Sequence, residues 1–404
     1  MVEKKRKTTK RFRTGFALPL VASVIIILIL MGTSMLSLGQ HARVRSLRTT
    51  SDIAARIAAD AGLVKAIFLM NRKVESEAVW NNDDLPLLEN FKLPNSSETY
   101  NFNVEGDPST GFSIVSTGYS GLAERKVYSS IRLASIYDFG IAVKADLILY
   151  PNSAVTAYDS DTGETNLWTT IGTNSIGDDS VLVMNNATVA GDVVVGLGGD
   201  PSVVIQNRGE IEGGTWAMPT EYYFPPVYPP AGLAYRGFIK NNVTIGPANS
   251  GEYSYIALGN SEVITVDGGH VVMHITGDIG MRNGAEILIN AGSSLELYID
   301  GNWESKEGSG INNLNGIPSN MSIYGTGELG QSIDIKANNE LYATVYAPNA
   351  QVGVKAGGDM YGSFIVHDFE MKSKSTMNHD KALSKNKTID DFGVYFTVSS
   401  WREE

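Results

Sequence analysis

The sequence predicts an α+β protein with a long N-terminal helix, a small antiparallel sheet and a right-handed parallel β-helix. Three observations predict this class. Residues 16–38 are apolar and uncharged, residues 100–136 alternate apolar and polar side chains, and residues 137–383 carry short apolar runs separated by Gly, Asn, Asp and Ser. These patterns are typical of a lipid-facing helix, of half-buried strands and of a β-solenoid.

The first 38 residues combine a basic leader with an apolar stretch. Residues 1–15 hold seven Lys and Arg against one Glu, and residues 16–38 contain no ionisable side chain. A helix of that length spans a bilayer core of about 30 Å at about 1.5 Å per residue. Because basic flanks stay in the cytoplasm, the rest of the chain is expected outside it. The stretch is longer than the apolar core of a cleaved secretory signal, and helical spacing continues to about residue 75.

The junction TGFALPL at residues 14–20 resembles the N-terminus of type IV pilins and pseudopilins. The resemblance implies that a prepilin peptidase cuts between Gly15 and Phe16 and methylates Phe16. It also implies that the helix packs among the helices of other pilins after the pilus assembly machinery extracts it from the membrane. Most major pilins carry Glu at the fifth residue after the cut, whereas this chain carries Leu20 there, as pseudopilins at a filament tip do.

Two further segments extend the resemblance. Residues 54–63 (AARIAADAGL) resemble the helix of PilX-type minor pilins, and residues 341–350 with 357–363 resemble the β-helix attached to such N-termini. The resemblance implies a bacterial minor pilin, found in the inner (cytoplasmic) membrane with its body outside the cytoplasm and then at the pilus or cell surface. It implies architecture for the β-helix and leaves its ligand open, with a surface glycan or protein as the expected partner.

Composition excludes several classes of function. The chain has no cysteine, so disulfides, thiolate catalysis and Cys-ligated zinc are excluded. The full chain has 32 basic and 44 acidic residues. Cleavage after residue 15 would leave 25 basic and 43 acidic residues, a net charge of −18. Such acidity argues against a nucleic-acid partner, because phosphate binding needs clustered Lys and Arg. No cofactor and no catalytic residue are predicted.

The predicted domains follow these changes of pattern. Residues 1–15 form the leader, 16–75 the helix with 16–38 in the membrane, and 76–136 a connector and small sheet, of which 76–98 is the proline-containing connector. Residues 137–383 form the β-helix and 384–404 a C-terminal cap, tail or last strand. A jelly-roll sandwich and two separate β domains are the alternatives for the β-helix.

An aromatic and proline-rich segment is the candidate ligand surface. A stiff polyproline-like loop could present its rings to a sugar or a protein partner. The alternative is a long excursion whose rings pack back on the β domain. The candidate residues are Trp216, Tyr222, Tyr223, Phe224 and Tyr228.

The candidate calcium site is weak. Asp159, Asp161 and Glu164 alternate around a turn glycine, as carboxylates in calcium loops do, but the distal Glu and the full loop length are missing. An acidic surface turn is the simpler interpretation.

Two histidine motifs have equally simple interpretations. His270 and His274 share one face of a predicted strand but lack a third zinc ligand. His379 and Asp380 could form a base and its orienting carboxylate, yet no nucleophile is assigned to them, so a capping hydrogen bond is expected instead.

These observations predict a non-enzymatic minor pilin-like subunit at a filament tip, supporting pilus assembly and surface contact or adhesion. One alternative is a bactofilin-like scaffold anchored by an unprocessed transmembrane helix. The other is a β-helix polysaccharide-active enzyme, which would need paired carboxylates or a calcium cluster with a basic residue. Acidic residues here are scattered, and basic residues between 137 and 330 are few.

Overall fold

The computed structural model describes residues 17–76, 80–337, 340–356, 359–385, 389 and 392–403. In the described residues, a long apolar helix is followed by a mostly β chain with one small five-stranded sheet, one large parallel sheet and one four-stranded parallel sheet. The chain divides into two compact units. One comprises Met1–Arg132 and Phe396–Glu404, and the other comprises Leu133–Tyr395.

The first unit begins with helix α1, Ala17–Ser76, whose 60 residues span about 90 Å. Its length and composition suit a membrane span: the most apolar 18-residue window has a mean hydropathy of 2.4, and none of that window is buried. The predicted long apolar helix is confirmed. From Ala55 onward the same helix buries one face, so its two halves differ in environment.

A five-stranded sheet completes this unit, in the order β1-β2-β3-β4-β30, with antiparallel pairing from β1 to β4. The alternation of buried and open positions in β2 and β3 agrees with the predicted antiparallel sheet. The strands are β1 (Leu87–Lys92), β2 (Thr99–Asp107), β3 (Gly111–Ser120), β4 (Ala123–Ser135) and β30 (Val394–Glu403).

Two strands of this sheet differ from the prediction. Strand β1 lies inside residues 76–98, which the sequence indicates as a connector. It is an edge strand with no buried residue and an irregular register between Leu88 and Phe91, so it lacks the alternation that reveals a strand. Strand β30 lies in residues 384–404, and from Phe396 onward it belongs to this first unit and not to a cap of the β domain.

Small side chains let the second half of α1 approach the sheet closely. The Ser116 hydroxyl on β3 donates to the carbonyl oxygen of Ala59 at 2.7 Å. A Cβ on Gly118 would overlap the backbone of Ala55 and Ala59. The alanine-rich motif is thus a packing surface, and the buried residues of α1 include Ala55, Ala58, Ala59, Leu63, Ala66 and Met70.

In the residues described, the second unit consists mainly of short parallel strands, with two single-turn helices, α2 (Pro201–Val204) and α3 (Ala382–Lys385). Short 3-10 turns occupy Ile136–Asp138, Pro247–Asn249 and Pro318–Asn320. The strands are β5 (Ile141–Val143), β6 (Leu147–Leu149), β7 (Ala154–Tyr158), β8 (Thr169–Thr173), β9 (Val181–Val183), β10 (Thr188–Val189), β11 (Gly191–Val195), β12 (Ile205–Asn207), β13 (Glu210–Ile211), β14 (Thr215–Ala217), β15 (Val243–Ile245), β16 (Gly251–Tyr253), β17 (Ile256–Leu258), β18 (Val263–Val266), β19 (His270–Ile275), β20 (Ile279–Met281), β21 (Glu286–Ile289), β22 (Ser294–Ile299), β23 (Trp303–Ser305), β24 (Gly310–Asn313), β25 (Met321–Gly325), β26 (Gln331–Ala337), β27 (Leu341–Ala356), β28 (Met360–Met371) and β29 (Thr376–Asp380).

These strands pair in parallel at a nearly regular sequence interval. Between Val243 and Ile333 the paired residues lie 21 to 30 positions apart, from Val243 with Ile264 to Trp303 with Ile333. Most short strands bury alternate residues, and their apolar side chains form one continuous core. Burial of each Val, Leu or Ile contributes about 1.5–3 kcal/mol.

The spatial order of the strands differs from their order along the chain. The first row runs β16, β19, β22, β25, β27, β28, β5, β8, β11, β14. The second row runs β17, β20, β23, β26, β27, β28, β6, β9, β12. In both rows the late strands β27 and β28 lie between the strands of residues 141–217 and those of residues 243–337.

This order requires a long connection, the return segment of residues 218–242. It leaves β14 at one edge of the first row and reaches Tyr235, which bridges to Glu252 of β16 at the opposite edge. Nine steps of about 4.8 Å amount to about 43 Å. The 17 residue-to-residue steps from Met218 to Tyr235 cover about 53 Å as polyproline II, so the prolines of this segment suit a nearly extended path.

Candidate functional site

The residues that carry the pilin resemblance lie at the start of the chain. Gly15 and Phe16, the predicted processing residues, are outside the described residues. Leu20, the predicted filament-packing residue, is on α1 and 58% exposed. The side chains of Leu18 and of residues 24–31 are also largely exposed, so this half of α1 offers a continuous apolar surface to lipid or to other helices.

The five aromatic candidates do not form one exposed surface. Tyr222 is buried, and its hydroxyl donates to the carbonyl oxygen of Ile136. Trp216 and Tyr228 are exposed, at 44% and 75%. Burial removes the Tyr222 ring from the predicted ligand surface and makes it an anchor of the return segment.

Other contacts hold the return segment along the first row. The Asn174 amide donates to the carbonyl oxygen of Tyr222 at 2.8 Å and accepts from the Tyr222 backbone N–H at 3.0 Å. Further along, the Tyr346 hydroxyl donates to the carbonyl oxygen of Pro225. This part of the segment therefore follows the alternative in which the loop packs back on the β domain, because its polar groups hydrogen-bond to other residues of that domain.

Two of the candidate rings nevertheless line a cavity of about 470 Å³. Tyr223 and Phe224 are half-buried and line it with Lys144, whose Nζ lies 5.4 Å from the Phe224 ring centroid. Burial lowers the pKa of Lys144. The remaining lining residues are Asn174, Glu221 and Tyr222.

The calcium candidates form a closed turn. Asp159 is buried; its Oδ1 accepts from the backbone N–H groups of Asp161 and Thr162, at 3.0 and 3.1 Å, and its Oδ2 pairs with Lys385. The pKa of Asp159 is lowered, chiefly by the Lys385 hydrogen bond. Within the described ranges, no three His, Asp or Glu side chains are grouped to hold a metal ion, and Glu164 does not join Asp159 in such a group.

His270 and His274 each have carboxylate neighbours on the outer face of β19. His274 lies 3.0 Å from Asp300 through Nε2 and 3.7 Å from Glu252 through Nδ1. His270 Nε2 lies 3.6 Å from Glu296. The two imidazoles thus contact different carboxylates and do not converge on one zinc position.

His379 and Asp380 point to different partners. The buried His379 ring lies 2.9 Å from the Thr169 hydroxyl and 3.0 Å from the carbonyl oxygen of Tyr137. Asp380 accepts from the backbone N–H groups of Ser160 and Ala382, at 3.0 and 3.1 Å. Asp380 therefore has the expected capping role, and it does not orient the imidazole.

The burial of His379 makes the stability of the second unit depend on pH. Burial lowers the pKa of His379 to about 3, from an ordinary value of 6.5. Below pH 6.5 the unfolded chain binds a proton that the folded chain excludes. This contribution to stability is therefore complete above about pH 6.5 and decreases on acidification to about pH 3, by up to about 1.4 kcal/mol per pH unit.

The variant His379→Gln is expected to lose this part of the acid sensitivity, because an amide keeps both hydrogen-bonding functions without titrating. Urea unfolding of the full chain in detergent micelles at pH 7.5, 5.5 and 4.5 measures it. The control variant His270→Gln alters an exposed imidazole and should keep the full dependence. Equal pH dependence in His379→Gln and the unsubstituted chain would contradict the assignment.

A groove over β17, β20 and β23 was not identified from the sequence. Lys240, Arg282 and Lys306 line it together, in a volume of about 530 Å³. These residues are 24 to 66 positions apart along the chain, so only the pairing of the strands brings them together. The sequence offered one signal for this groove: Lys and Arg are scarce in the acidic region that contains these three residues.

Part of this chain is similar to a known family, and one solved structure aligns with most of it. A family model described as a domain of unknown function (DUF7305) matches residues 239–386, well under half of the chain. The crystal structure of the competence-associated pilin ComZ from Thermus thermophilus aligns with 13% identity and a TM-score of 0.22, covering 88% of this chain and 98% of that chain. A comparison with curated proteins gives no match.

Proposed function

We propose that this chain is a minor type IV pilin-like subunit, with its body exported and its N-terminal helix in the membrane and later in a filament. The observation that carries the proposal is the environment of α1. Its first half exposes apolar side chains after the Gly15–Phe16 junction, while its second half packs on the small sheet. A helix that anchors a head and also offers an unpartnered apolar surface suits packing among similar helices.

Leu20 supports a minor position in the filament. A carboxylate at this place would neutralise the terminal amine of a neighbouring subunit in the apolar filament interior, where a single charge is costly. This chain offers no carboxylate there, so it suits a tip or initiating subunit with no further subunit ahead of it. The expected partners are other pilins, the assembly machinery and the prepilin peptidase.

We infer in addition that the parallel strands of the second unit form a right-handed β-helix. Support comes from the repeated interval of 21 to 30 residues and from the parallel pairing of successive turns of chain. Parallel strands joined by crossovers are right-handed in nearly all proteins. The β-helix would serve as a non-enzymatic head for surface contact or adhesion.

The N-terminus of the native protein tests the proposal. Mass spectrometry of protein from the membrane and sheared-surface fractions should give a chain that begins at methylated Phe16. In Gly15→Val, processing should be lost, because the bulkier residue obstructs the peptidase. The matched control Gly39→Val changes a helical glycine with open space around it and should be processed normally.

An intact Met1 start in the native protein would reject the pilin proposal. The chain would then be an anchored scaffold, the alternative in which the transmembrane helix is never processed. Release of reducing ends from an acidic glycan by the purified full chain would instead reject the non-enzymatic part of the proposal. These two outcomes are independent, since one concerns α1 and the other the second unit.

A further inference from the structure

Three of the few basic residues in an acidic part of the chain converge on one groove. Between Arg208 and Lys336 the sequence has four Lys and Arg and 14 Asp and Glu. Lys240, Arg282 and Lys306 are three of those four, and they line the same groove on the second row. Grouping of nearly all the local positive charge at one place indicates a site for an anionic group.

The floor of the groove results from two small residues at outward positions. The register of Ile239 with Ile256, and of β17 with β20 and β23, sets Lys240, Ala257, Gly280 and Glu304 side by side on successive strands. Three steps of about 4.8 Å separate Lys240 from Glu304 by about 14 Å. Only a methyl group and a hydrogen atom lie between them, and the space above Gly280 is open.

Arg282 and Lys306 form the wall of the groove. Met281 pairs with Ser305, so the residues that follow them, Arg282 and Lys306, are neighbours on adjacent strands. Lys306 pairs with Glu304, and this hydrogen bond lowers the pKa of the Glu304 carboxyl. Within the described part of the chain, the guanidinium of Arg282 makes neither an ion pair nor a hydrogen bond, so its five donors remain available.

A pair of stacked rings adjoins the Lys240 end of the groove. Phe238 and Tyr255 lie 5.1 Å apart between ring centroids with an interplanar angle of 4°, and Phe238 is 54% exposed. Lys240 Nζ lies 5.0 and 5.3 Å from the two centroids. The site therefore combines cations with an exposed aromatic surface.

We propose that this groove binds a carboxylated polysaccharide. Arg282 would contact a sugar carboxylate through its planar donor fork, and Lys240 a second carboxylate across the groove. The exposed Phe238 ring would cover an apolar sugar face and so add buried apolar area to the contact. The proposal goes beyond the pilin assignment and does not depend on it.

The carboxylates of the groove favour this ligand over a nucleic acid. The Glu262 carboxylate accepts a hydrogen bond from the backbone N–H of Gly259, and the Glu304 carboxylate pairs with Lys306. These contacts fix both carboxylates in the lining of the groove. They can accept hydrogen bonds from the hydroxyl groups of a sugar, whereas the phosphates of a nucleic-acid backbone have no hydrogen-bond donor to offer them. The lining thus offers cations to the carboxylates of such a polymer and carboxylates to its hydroxyl groups.

The test measures binding of polygalacturonate to the full chain in lauryldimethylamine oxide micelles, a detergent without sugar. Microscale thermophoresis at about 0.15 M salt keeps long-range attraction screened beyond about 8 Å. Arg282→Gln and Lys240→Gln are each expected to raise Kd about 10-fold or more, as for loss of a charge-assisted hydrogen bond. Gly280→Leu should abolish binding by filling the floor without changing any charge.

Four controls decide the outcome: Lys374→Gln, the methyl ester of the polymer, polyphosphate and thermal unfolding. Lys374→Gln removes an exposed charge outside the lining and should leave Kd within about twofold, a difference of about 0.4 kcal/mol. Fully methyl-esterified polygalacturonate, which lacks the carboxylates, should not bind. Equal binding of the ester or of polyphosphate, equal loss in Lys374→Gln and Arg282→Gln, or unchanged binding in Gly280→Leu would overturn the proposal. Unchanged thermal unfolding of each variant would show that folding is not the cause.

Discussion

Replacement of Phe396 by Ala is expected to destabilise the unit formed by Met1–Arg132 and Phe396–Glu404 by about 3–5 kcal/mol, the usual cost of removing a buried aromatic ring. Phe396 is 3% exposed, and its ring contacts those of Trp80 and Phe112 at centroid distances of 5.9 and 5.1 Å. Its backbone exchanges two hydrogen bonds with the Asn71 amide of α1, at 2.6 and 3.2 Å. Loss of the ring would therefore weaken both the sheet and its attachment to the helix.

Hydrogen exchange of the full chain in micelles measures this effect locally. Amides of β2 and β3 that exchange through opening of the unit should exchange about two to four orders of magnitude faster in Phe396→Ala. Val398→Ala on the same strand is the matched control, because Val398 is 43% exposed, and it should change exchange by less than about tenfold. Similar exchange in the two variants would mean that β30 contributes little to this unit.

Replacement of Gly118 by Val is expected to separate α1 from the sheet. A Cβ at this position would overlap the carbonyl oxygen of Ala55 and the backbone nitrogen of Ala59, and backbone atoms cannot rotate away as a side chain can. Overpacking of a core usually costs about 1–3 kcal/mol, and contact with backbone places this variant at or above the upper limit. Shift of the helix would also break the Ser116–Ala59 hydrogen bond.

Thermal unfolding and exchange of the α1 amides in Gly118→Val test this prediction. The control is Ser113→Val, which adds the same branched side chain at an exposed position of β3 and should alter stability by about 0.5 kcal/mol or less. If Gly118→Val unfolds like Ser113→Val, the close approach of helix and strand is not a stabilising contact.

The sequence predicted those parts of the fold that a local pattern determines. A charge-free run gave the helix, and alternation of Phe102, Val104, Phe112 and Ile114 gave the antiparallel strands. Strand β1 was missed because an exposed edge strand has no buried side to reveal it. The parallel strands were recognisable by their short apolar runs. The structure pairs such runs at intervals of 21 to 30 residues between Val243 and Ile333.

The order of the parallel strands could not be predicted in the same way. Runs such as Leu147–Leu149 and Val181–Val183 bury alternate side chains in the same manner, so nothing local indicates which strand is whose neighbour. The same limit applies to the candidate sites. The aromatic segment was evident from composition, but its use as a connection follows from strand order, and the basic groove exists only because distant strands lie side by side.

The position of β28 between early and late strands has a consequence for the order in which the chain can fold. Its Phe364 pairs with Ile141, a partner 223 positions earlier. If the chain emerges from its N-terminus, one edge of β5 and of β6 has no partner until β28, near the C-terminus, has also emerged. Open parallel edges attract other strands, and pairing over such distances is slow. The time between emergence of the two partners is therefore the interval in which we expect misassembly, and faster emergence of β28 would shorten it.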